Sequence, residues 1–374
     1  RTKAVKNPDG TYSIVGGKIF ISSGEHDLAE NIIHIVLARI EGAPEGTRGL
    51  SCFIVPKYLV NDDGTLGGRN DVHCSGIEHK MGIHGSSTCV LNYGDNGACV
   101  GELLGPEQKG IVVMFHMMNE QRVLVGLQGL AQASTAYLHA LDFARERKQG
   151  SRLGSKSAEQ ELIISHPDVR RNLLWMKAYT EGMRALILYT VYCMDMEAAS
   201  TSEEEKKKWQ NRVELLTPIS KAYSTDKGYE VCTRAIQVHG GYGFCTEYKV
   251  EQFARDCKIT SIYEGTNGIQ AIDLFGRKIR MKNGAALNDI LAEMRSAVAQ
   301  ASGIDELKSY AAEVGRSVSA LERITGFLLE KSAGDDMYLA YSWATPYLEI
   351  FGDVVLGWMF LIQAGKACGR RAAG

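Results

Sequence analysis

The chain has 374 residues, with 42 basic and 44 acidic side chains and a formal net charge of -2. This length supports two or three domains with a large buried core, so neither disulfides nor metals are needed to hold the fold. The near-neutral charge excludes a general electrostatic attraction to nucleic acid or anionic lipid and leaves only local patches.

The first part of the chain is predicted to be β-structure. Four segments rich in β-branched and aromatic residues are preceded or separated by turn signals such as Pro8-Asp9-Gly10 and Gly67-Gly68-Arg69-Asn70. These predicted strands cover residues 11–22, 32–40, 50–55 and 88–93. Because no helical pattern lies between them, we expect an antiparallel sheet or barrel in a β-domain over residues 1–108.

From Gly110 the apolar residues recur with helical spacing, and a helical bundle is predicted over residues 109–282. The pattern predicts three long helices, which run from Gly110 to a polar loop at 148–156, from Pro167 toward Glu197, and from Arg212 to Val238. The charged run 203–208 predicts a solvated helix start. A bend is expected at Pro218, and a short helix then precedes the loop 261–266.

A helical extension is predicted for residues 283–374, with amphipathic patterns over 287–300, 304–329 and 337–368. Glu349 and Asp353 interrupt the last apolar stretch, so we predict a buried helix and no membrane span. The predicted fold class is therefore α+β, with an antiparallel β-domain followed by an antiparallel helical bundle and a C-terminal helical extension.

The cysteines and histidines predict no metal site. Nine cysteines are scattered without CxxC spacing, and His79 and His84 lack further ligands at metal-binding spacing. Dispersed free thiols are typical of a reducing compartment, so we expect a cytoplasmic location, with an organelle matrix as the alternative. The chain opens at Arg1 rather than Met, which leaves a targeting segment open.

Two segments carry candidate chemistry. Glu264 is a lone carboxylate just ahead of a predicted helix, which makes it a candidate general base, and Thr266 is a candidate N-cap for that helix. The glycines in 237–244 permit close approach of a phosphate. Read singly, the first segment fits a structural loop and the second fits a helix C-cap, and no GxGxxG fingerprint, P-loop or GxSxG elbow is present.

Taken in order, these segments resemble the acyl-CoA dehydrogenase family. Gly17-Lys-Ile-Phe-Ile-Ser-Ser-Gly24 is similar to the family segment GxKxWITNG, which implies that Phe20 packs on a flavin and that Ser22 bonds near its N5. Asn119-Glu-Gln-Arg122 resembles the start of the family's long helix. The resemblance implies that Arg122 lies near the catalytic carboxylate and that Asn119 contacts substrate.

The resemblance also implies FAD as cofactor. Arg147 falls on the family's RxxFG arginine, which contacts the dinucleotide of a neighbouring subunit, and a homodimer or homotetramer follows from that. Gln237, Gly240 and Gly241 match a second contact to the adenosine diphosphate. The family's base-bearing loop matches here as well, with Glu264 as the base, Thr266 near the flavin, and two substrate contacts, Tyr263 and Gly265.

Some family members carry the base immediately before the helix arginine, but Gln121 occupies that position here. Glu120 is one residue removed, which turns its side chain about 100° around the helix. Glu264 is therefore preferred.

The expected reaction is α,β-dehydrogenation of an acyl-CoA thioester to a trans-2-enoyl-CoA, with an electron-transfer flavoprotein as acceptor. Glu78-His-Lys-Met-Gly-Ile-His-Gly85 and the C-terminal extension are most similar to the 3-methylthiopropionyl-CoA dehydrogenase subgroup. The family's N-terminal helical domain is not in this sequence. The alternatives are an acyl-CoA oxidase and a non-catalytic flavin-containing homologue that binds nucleic acid, a role that the near-neutral charge disfavours.

Overall fold

The structure, a computed structural model, describes residues 2–154, 156 and 159–373. The chain forms two compact units, one ending at Glu120 and the other beginning at Gln121. Each unit has its own hydrophobic core. The domain limits predicted at residues 108 and 282 stay predictions.

The described part of the first unit contains nine strands. They are β1 (Lys3–Lys6), β2 (Tyr12–Ser22), β3 (Ile33–Ile40), β4 (Leu50–Pro56), β5 (Tyr58–Val60), β6 (Leu66–Arg69), β7 (Val72–Ile77), β8 (Thr88–Tyr93) and β9 (Val100–Leu104). The four predicted strands are confirmed as β2, β3, β4 and β8. The turn predicted from Gly67 to Asn70 is wrong in part, because β6 occupies most of it and pairs with β5.

Seven strands form one sheet in the order β1-β3-β4-β9-β2-β8-β7. The predicted antiparallel arrangement is confirmed with one exception, since β1 pairs parallel to β3 through Lys3 with Arg39 and Ala4 with Ile40. Side chains alternate between the two faces of a strand. In β2 this alternation buries Tyr12. Its ring packs edge-on against the ring of the core residue Phe53, with the ring centroids 5.0 Å apart.

Nine α-helices follow in the described residues. They are α1 (Gly110–Glu146), α2 (Pro167–Ala199), α3 (Glu203–His239), α4 (Val250–Lys258), α5 (Asn267–Gly276), α6 (Ala285–Ser302), α7 (Lys308–Ser332), α8 (Met337–Ser342) and α9 (Ala344–Ala373). The predicted α+β class is thereby confirmed.

Helix α3 is longer than the sequence pattern predicted, because the charged run and the third apolar pattern form one helix. Its N-cap is Ser202, whose hydroxyl accepts the backbone N–H of Glu205 at 3.2 Å. Three glutamates in the first turn suit the positive end of the helix dipole. Pro218 lies inside α3 and removes one of its helical hydrogen bonds.

The single helix predicted over 337–368 is wrong, because the chain breaks at Trp343 between α8 and α9. Pro346 explains the break. A proline ring clashes with the carbonyl four residues earlier, here that of Ser342, and is tolerated only in the first turn of a helix.

Helix α9 packs into the same core as the bundle helices. The hydroxyl of Tyr223 on α3 donates to the carboxylate of Asp353 on α9 at 2.5 Å. Gly352 on α9 leaves room for the ring of Tyr223, because a Cβ added to Gly352 would lie 2.1 Å from that ring. By length and composition α9 could cross a membrane, but half of its apolar stretch is buried within the unit. It is therefore a core helix of this unit, as the sequence predicted.

Candidate functional site

The loop between α4 and α5 holds Glu264 in a constrained conformation. Glu264 has a φ of 55° and Gly265 a φ of 86°, so both lie in the left-handed region. For a non-glycine residue this conformation costs on the order of 1–2 kcal/mol and persists only where the surroundings impose it. The half-buried Glu264 side chain is thus presented by a fixed turn.

Three side chains hold this turn. The amide of Gln270 donates to the carbonyl oxygens of Glu264 and Gly265 at 3.3 and 3.4 Å. The ammonium of Lys221 on α3 donates to the carbonyl of Gly265 at 2.8 Å. Thr266 caps α5 by accepting the N–H of Ile269 at 3.4 Å, as the sequence predicted.

Arg122 on α1 lies beside the same loop. It is 6% exposed, and a Cβ placed on Gly265 would lie 3.9 Å from its Nη2. Burial lowers the pKa of Arg122. The negative charges of Asp273 and Glu264 oppose this lowering, whereas the positive charge of Arg277 adds to it. The predicted base, Glu264, and the predicted arginine, Arg122, therefore lie close enough for their charges to interact.

Glycines on α1 and α3 allow this arrangement. A Cβ on Gly126 would lie 2.4 Å from the carbonyl oxygen of Ser220, and one on Gly228 would lie 2.6 Å from that of Gly129. The two backbones can approach this closely only without side chains between them. As a result, α1, which carries Arg122, lies directly against the part of α3 that carries Lys221.

Tyr263 also connects the loop to α1. Its hydroxyl donates to the amide oxygen of Gln128. Burial raises the pKa of Tyr263, which keeps its hydroxyl protonated as a donor. Asn119 is half-buried on α1 in the first unit.

A second group of predicted residues meets at the turn Gly240–Phe244, which follows α3. The guanidinium of Arg147 lies 5.1 Å from the ring centroid of Tyr242, which is 42% exposed. Gly240 and Gly241 are exposed, and added Cβ atoms there would meet nothing within 4 Å. Gln237 is exposed in the last turn of α3.

We call Arg147, Tyr242, Gly240 and Gly241 the glycine-turn cluster. His239 immediately precedes Gly240, and its ring stacks on the ring of Phe143 with the two ring centroids 4.3 Å apart. A cation, an exposed aromatic ring and accessible backbone are the groups that suit the diphosphate and ring system of a dinucleotide. The residues present therefore fit such a cofactor.

In the first unit, Phe20 lies at an irregularity in the pairing of β2 with β8, between Lys18 and Ile21. Its φ is 59° and its side chain is 67% exposed. A bulge that turns a large aromatic ring outward is a feature of binding surfaces. Ser22 is exposed two residues further on, opposite Thr88.

No sequence pattern predicted the positions of Lys221, Gln270 and Tyr242 at these sites. A signal existed for Lys221, which is a lone cation among the small, buried α3 residues Thr217, Ser220, Ser224 and Thr225. Tyr242 lies between Gly241 and Gly243, two of the glycines in 237–244 that the sequence marked for close approach of a phosphate. Within the described ranges, no group of three or more His, Cys, Asp or Glu side chains is placed to hold a metal ion.

Comparison with protein families gives two matches. The model described as "Acyl-CoA dehydrogenase, C-terminal domain" matches residues 108–278, and the model described as "Acetyl-CoA dehydrogenase C-terminal like" matches residues 290–374. Together they account for the helical part of the chain.

Individual relatives match the whole chain. It is 42% identical over 387 residues to 3-methylmercaptopropionyl-CoA dehydrogenase of Ruegeria pomeroyi, covering 100% of this chain and 63% of the relative. It is 39% identical over 388 residues to the broad-specificity linear acyl-CoA dehydrogenase FadE5 of Mycobacterium tuberculosis, with coverage of 100% and 63%. The chain thus spans less than two thirds of the length of these relatives.

A solved structure shares the fold. The acyl-CoA dehydrogenase complexed with FAD from Bacillus anthracis superposes with a TM-score of 0.76 at 23% identity, covering 98% of this chain and 60% of that chain.

Proposed function

This chain belongs to the acyl-CoA dehydrogenase family, and from that premise we propose that it performs flavin-dependent α,β-dehydrogenation of an acyl-CoA thioester to a trans-2-enoyl-CoA. The observation that carries the proposal is the placement of Glu264. A carboxylate on a left-handed turn, anchored by Lys221 and Gln270 and lying beside Arg122, is suited to general-base work.

In this proposal Glu264 removes the proton from the carbon next to the thioester carbonyl. That proton is only weakly acidic, so the carbonyl must be polarised where negative charge develops. Among the described residues the backbone N–H of Glu264 has no acceptor, which leaves it available to the thioester oxygen. Arg122 contributes positive charge beside the loop and stays protonated.

FAD is the proposed cofactor. Phe20, Ser22 and Thr266 would lie at its flavin ring, and Arg147, Gln237, Gly240 and Gly241 would hold the adenosine diphosphate of a neighbouring subunit. When bound, FAD would supply the acceptor for the hydride that leaves the β-carbon. The glycine-turn cluster supports this assignment because it joins a cation, an aromatic ring and open backbone.

The proposed substrates are 3-methylthiopropionyl-CoA or linear acyl-CoA thioesters, after the two relatives. An electron-transfer flavoprotein is the proposed acceptor, in a cytoplasmic homodimer or homotetramer. Comparing reoxidation of the reduced protein by oxygen with reoxidation by an electron-transfer flavoprotein separates a dehydrogenase from an oxidase.

The decisive experiment is anaerobic absorbance spectroscopy of the flavin-loaded protein mixed with 3-methylthiopropionyl-CoA or butyryl-CoA. We expect loss of the oxidised flavin band in the wild type. Glu264→Gln should keep the flavin and leave the band unchanged, because an amide cannot take the proton. Glu120→Gln is the matched control and should react like the wild type. Full reactivity of Glu264→Gln would refute the assignment.

A further inference from the structure

Lys221 is a buried cation whose hydrogen bonds go to the loop that carries Glu264 and to the first residue of the helix that follows it, α5. It lies in the middle of α3 with 0% of its surface exposed. Its Nζ donates to the carbonyl oxygen of Gly265 at 2.8 Å and to Oδ1 of Asn267 at 2.8 Å. Both acceptors are neutral, and within the part of the chain that the structure describes no carboxylate forms an ion pair with this ammonium. Burying a charge without an opposite charge is unfavourable, so stability alone does not account for a lysine here.

Another buried lysine shows the ordinary arrangement. Lys278 is 3% exposed, and its Nζ forms an ion pair with the carboxylate of Glu214 at 2.8 Å. Its charge is therefore compensated, and it does not touch the Glu264 loop. The two lysines have similar burial but different partners.

We propose that Lys221 is a positioning residue for the reaction, which aims the Glu264 carboxylate by fixing the carbonyl of Gly265 and the first residue of α5, Asn267. This inference rests on the proposed role of Glu264 as base. Lys221 acts through the backbone of the loop and does not itself touch the reacting atoms.

The contacts of Asn267 explain why one lysine can fix the conformation of the Glu264 loop. Its amide nitrogen donates to the carbonyl of Ala222 at 3.1 Å and to the hydroxyl of Thr225 at 2.9 Å, both on α3. Lys221 supplies the shorter of the two hydrogen bonds to the amide oxygen, at 2.8 Å against 3.3 Å from the hydroxyl of Thr225, and it also donates to the carbonyl of Gly265. Without that ammonium, the one hydrogen bond left to the carbonyl of Gly265 among the described residues is the long 3.4 Å bond from Gln270.

The charge of Lys221 is also set by its surroundings. Burial lowers its pKa to about 8, Asp226 on α3 opposes that shift, Arg122 on α1 adds to it, and Glu264 opposes it. Lys221 is therefore an ammonium below about pH 8 and loses one donor hydrogen above it. An arginine at this position would stay charged throughout.

The test compares Lys221→Met, Lys221→Arg and the matched control Lys278→Met in the flavin-loaded protein. The rate of flavin reduction at saturating butyryl-CoA is measured from about pH 6 to about pH 10, together with KM, flavin affinity and thermal stability. We expect Lys221→Met to lower the maximal rate about 100-fold, because a displacement of about 1 Å costs that much, with little change in KM. Lys278→Met should lose stability but keep the rate.

The conservative variant adds a signature that a merely structural lysine would not give. The wild-type rate should decline above about pH 8, and Lys221→Arg should recover much of the lost rate without that decline. A Lys221→Met rate equal to that of Lys278→Met would overturn the inference. Glu264→Gln is run alongside. An inactive Glu264→Gln with a fully active Lys221→Met overturns only this inference, whereas an active Glu264→Gln overturns the proposed function as well.

Discussion

The guanidinium of Arg122 lies 3.9 Å from the carboxylate of Asp273, and the same carboxylate binds Arg277 at 2.7 Å. One negative charge is therefore shared by two cations, of which Arg277 is exposed and Arg122 is buried. Arg122 also interacts electrostatically with Glu264, because the negative charge of Glu264 opposes the lowering of the Arg122 pKa by burial.

Replacing Arg122 by lysine should lower the rate of flavin reduction about 10- to 100-fold. A lysine keeps the charge but lacks the planar guanidinium that reaches both Asp273 and the loop. The rate is measured by anaerobic stopped-flow absorbance at saturating acyl-CoA. Arg277→Lys alters the other partner of Asp273 and should stay near the wild-type rate. Equal losses in both variants would contradict the role of Arg122.

Replacing Arg147 by methionine should weaken FAD binding about tenfold or more, since a charged contact to a diphosphate and a cation–π contact to Tyr242 are both lost. The rate at saturating FAD should not change. Fluorescence titration of the apoprotein with FAD gives the Kd. Arg145→Met is the control, because Arg145 is exposed near Asp142 and should not affect Kd.

Replacing Gly126 by alanine should lower the free energy of unfolding by about 1–3 kcal/mol, because the new methyl group would lie 2.4 Å from the carbonyl oxygen of Ser220 and force α1 away from α3. Urea unfolding followed by circular dichroism measures the change. Gly326 lies in α7 with nothing within 4 Å of an added Cβ, so Gly326→Ala should be neutral or raise stability by about 0.5–1 kcal/mol. Destabilisation of both variants by similar amounts would rule out the close helix contact as the cause.

Burial lowers the pKa of His239, although its hydrogen bond to the carbonyl of Ala235 opposes the shift and His139 adds to it. The unfolded chain then binds the proton more readily than the folded chain. The stability contribution of His239 is complete above its unfolded pKa of about 6.5 and is lost as the pH falls through the lower, folded pKa.

We expect the free energy of unfolding to drop between about pH 7 and about pH 5, and His239→Gln to lessen that drop. Urea unfolding at several pH values measures both proteins. The exposed His79 provides a control, since His79→Gln should follow the wild-type curve. An unchanged pH dependence in His239→Gln would show that another group causes the drop.

Local pattern was sufficient for much of the fold. The predicted strands at β2, β3, β4 and β8 and most of the helices predicted from Gly110 onward appear in the structure, because side-chain periodicity is a property of neighbouring residues. The short strands β1, β5, β6, β7 and β9 were missed. Their sequences contain few β-branched residues, and they are strands because a partner strand supplies their hydrogen bonds.

The sequence by itself determined the candidate base and its loop, since Glu264 is a lone carboxylate before a helix whose cap, Thr266, can be read from its neighbours. Only the tertiary structure decided what acts on that carboxylate. Lys221 is 43 residues away in the chain and reaches the loop because α5 packs on α3, where Asn267 donates to Ala222 and Thr225. Such packing depends on surfaces formed by distant segments, which no local pattern encodes.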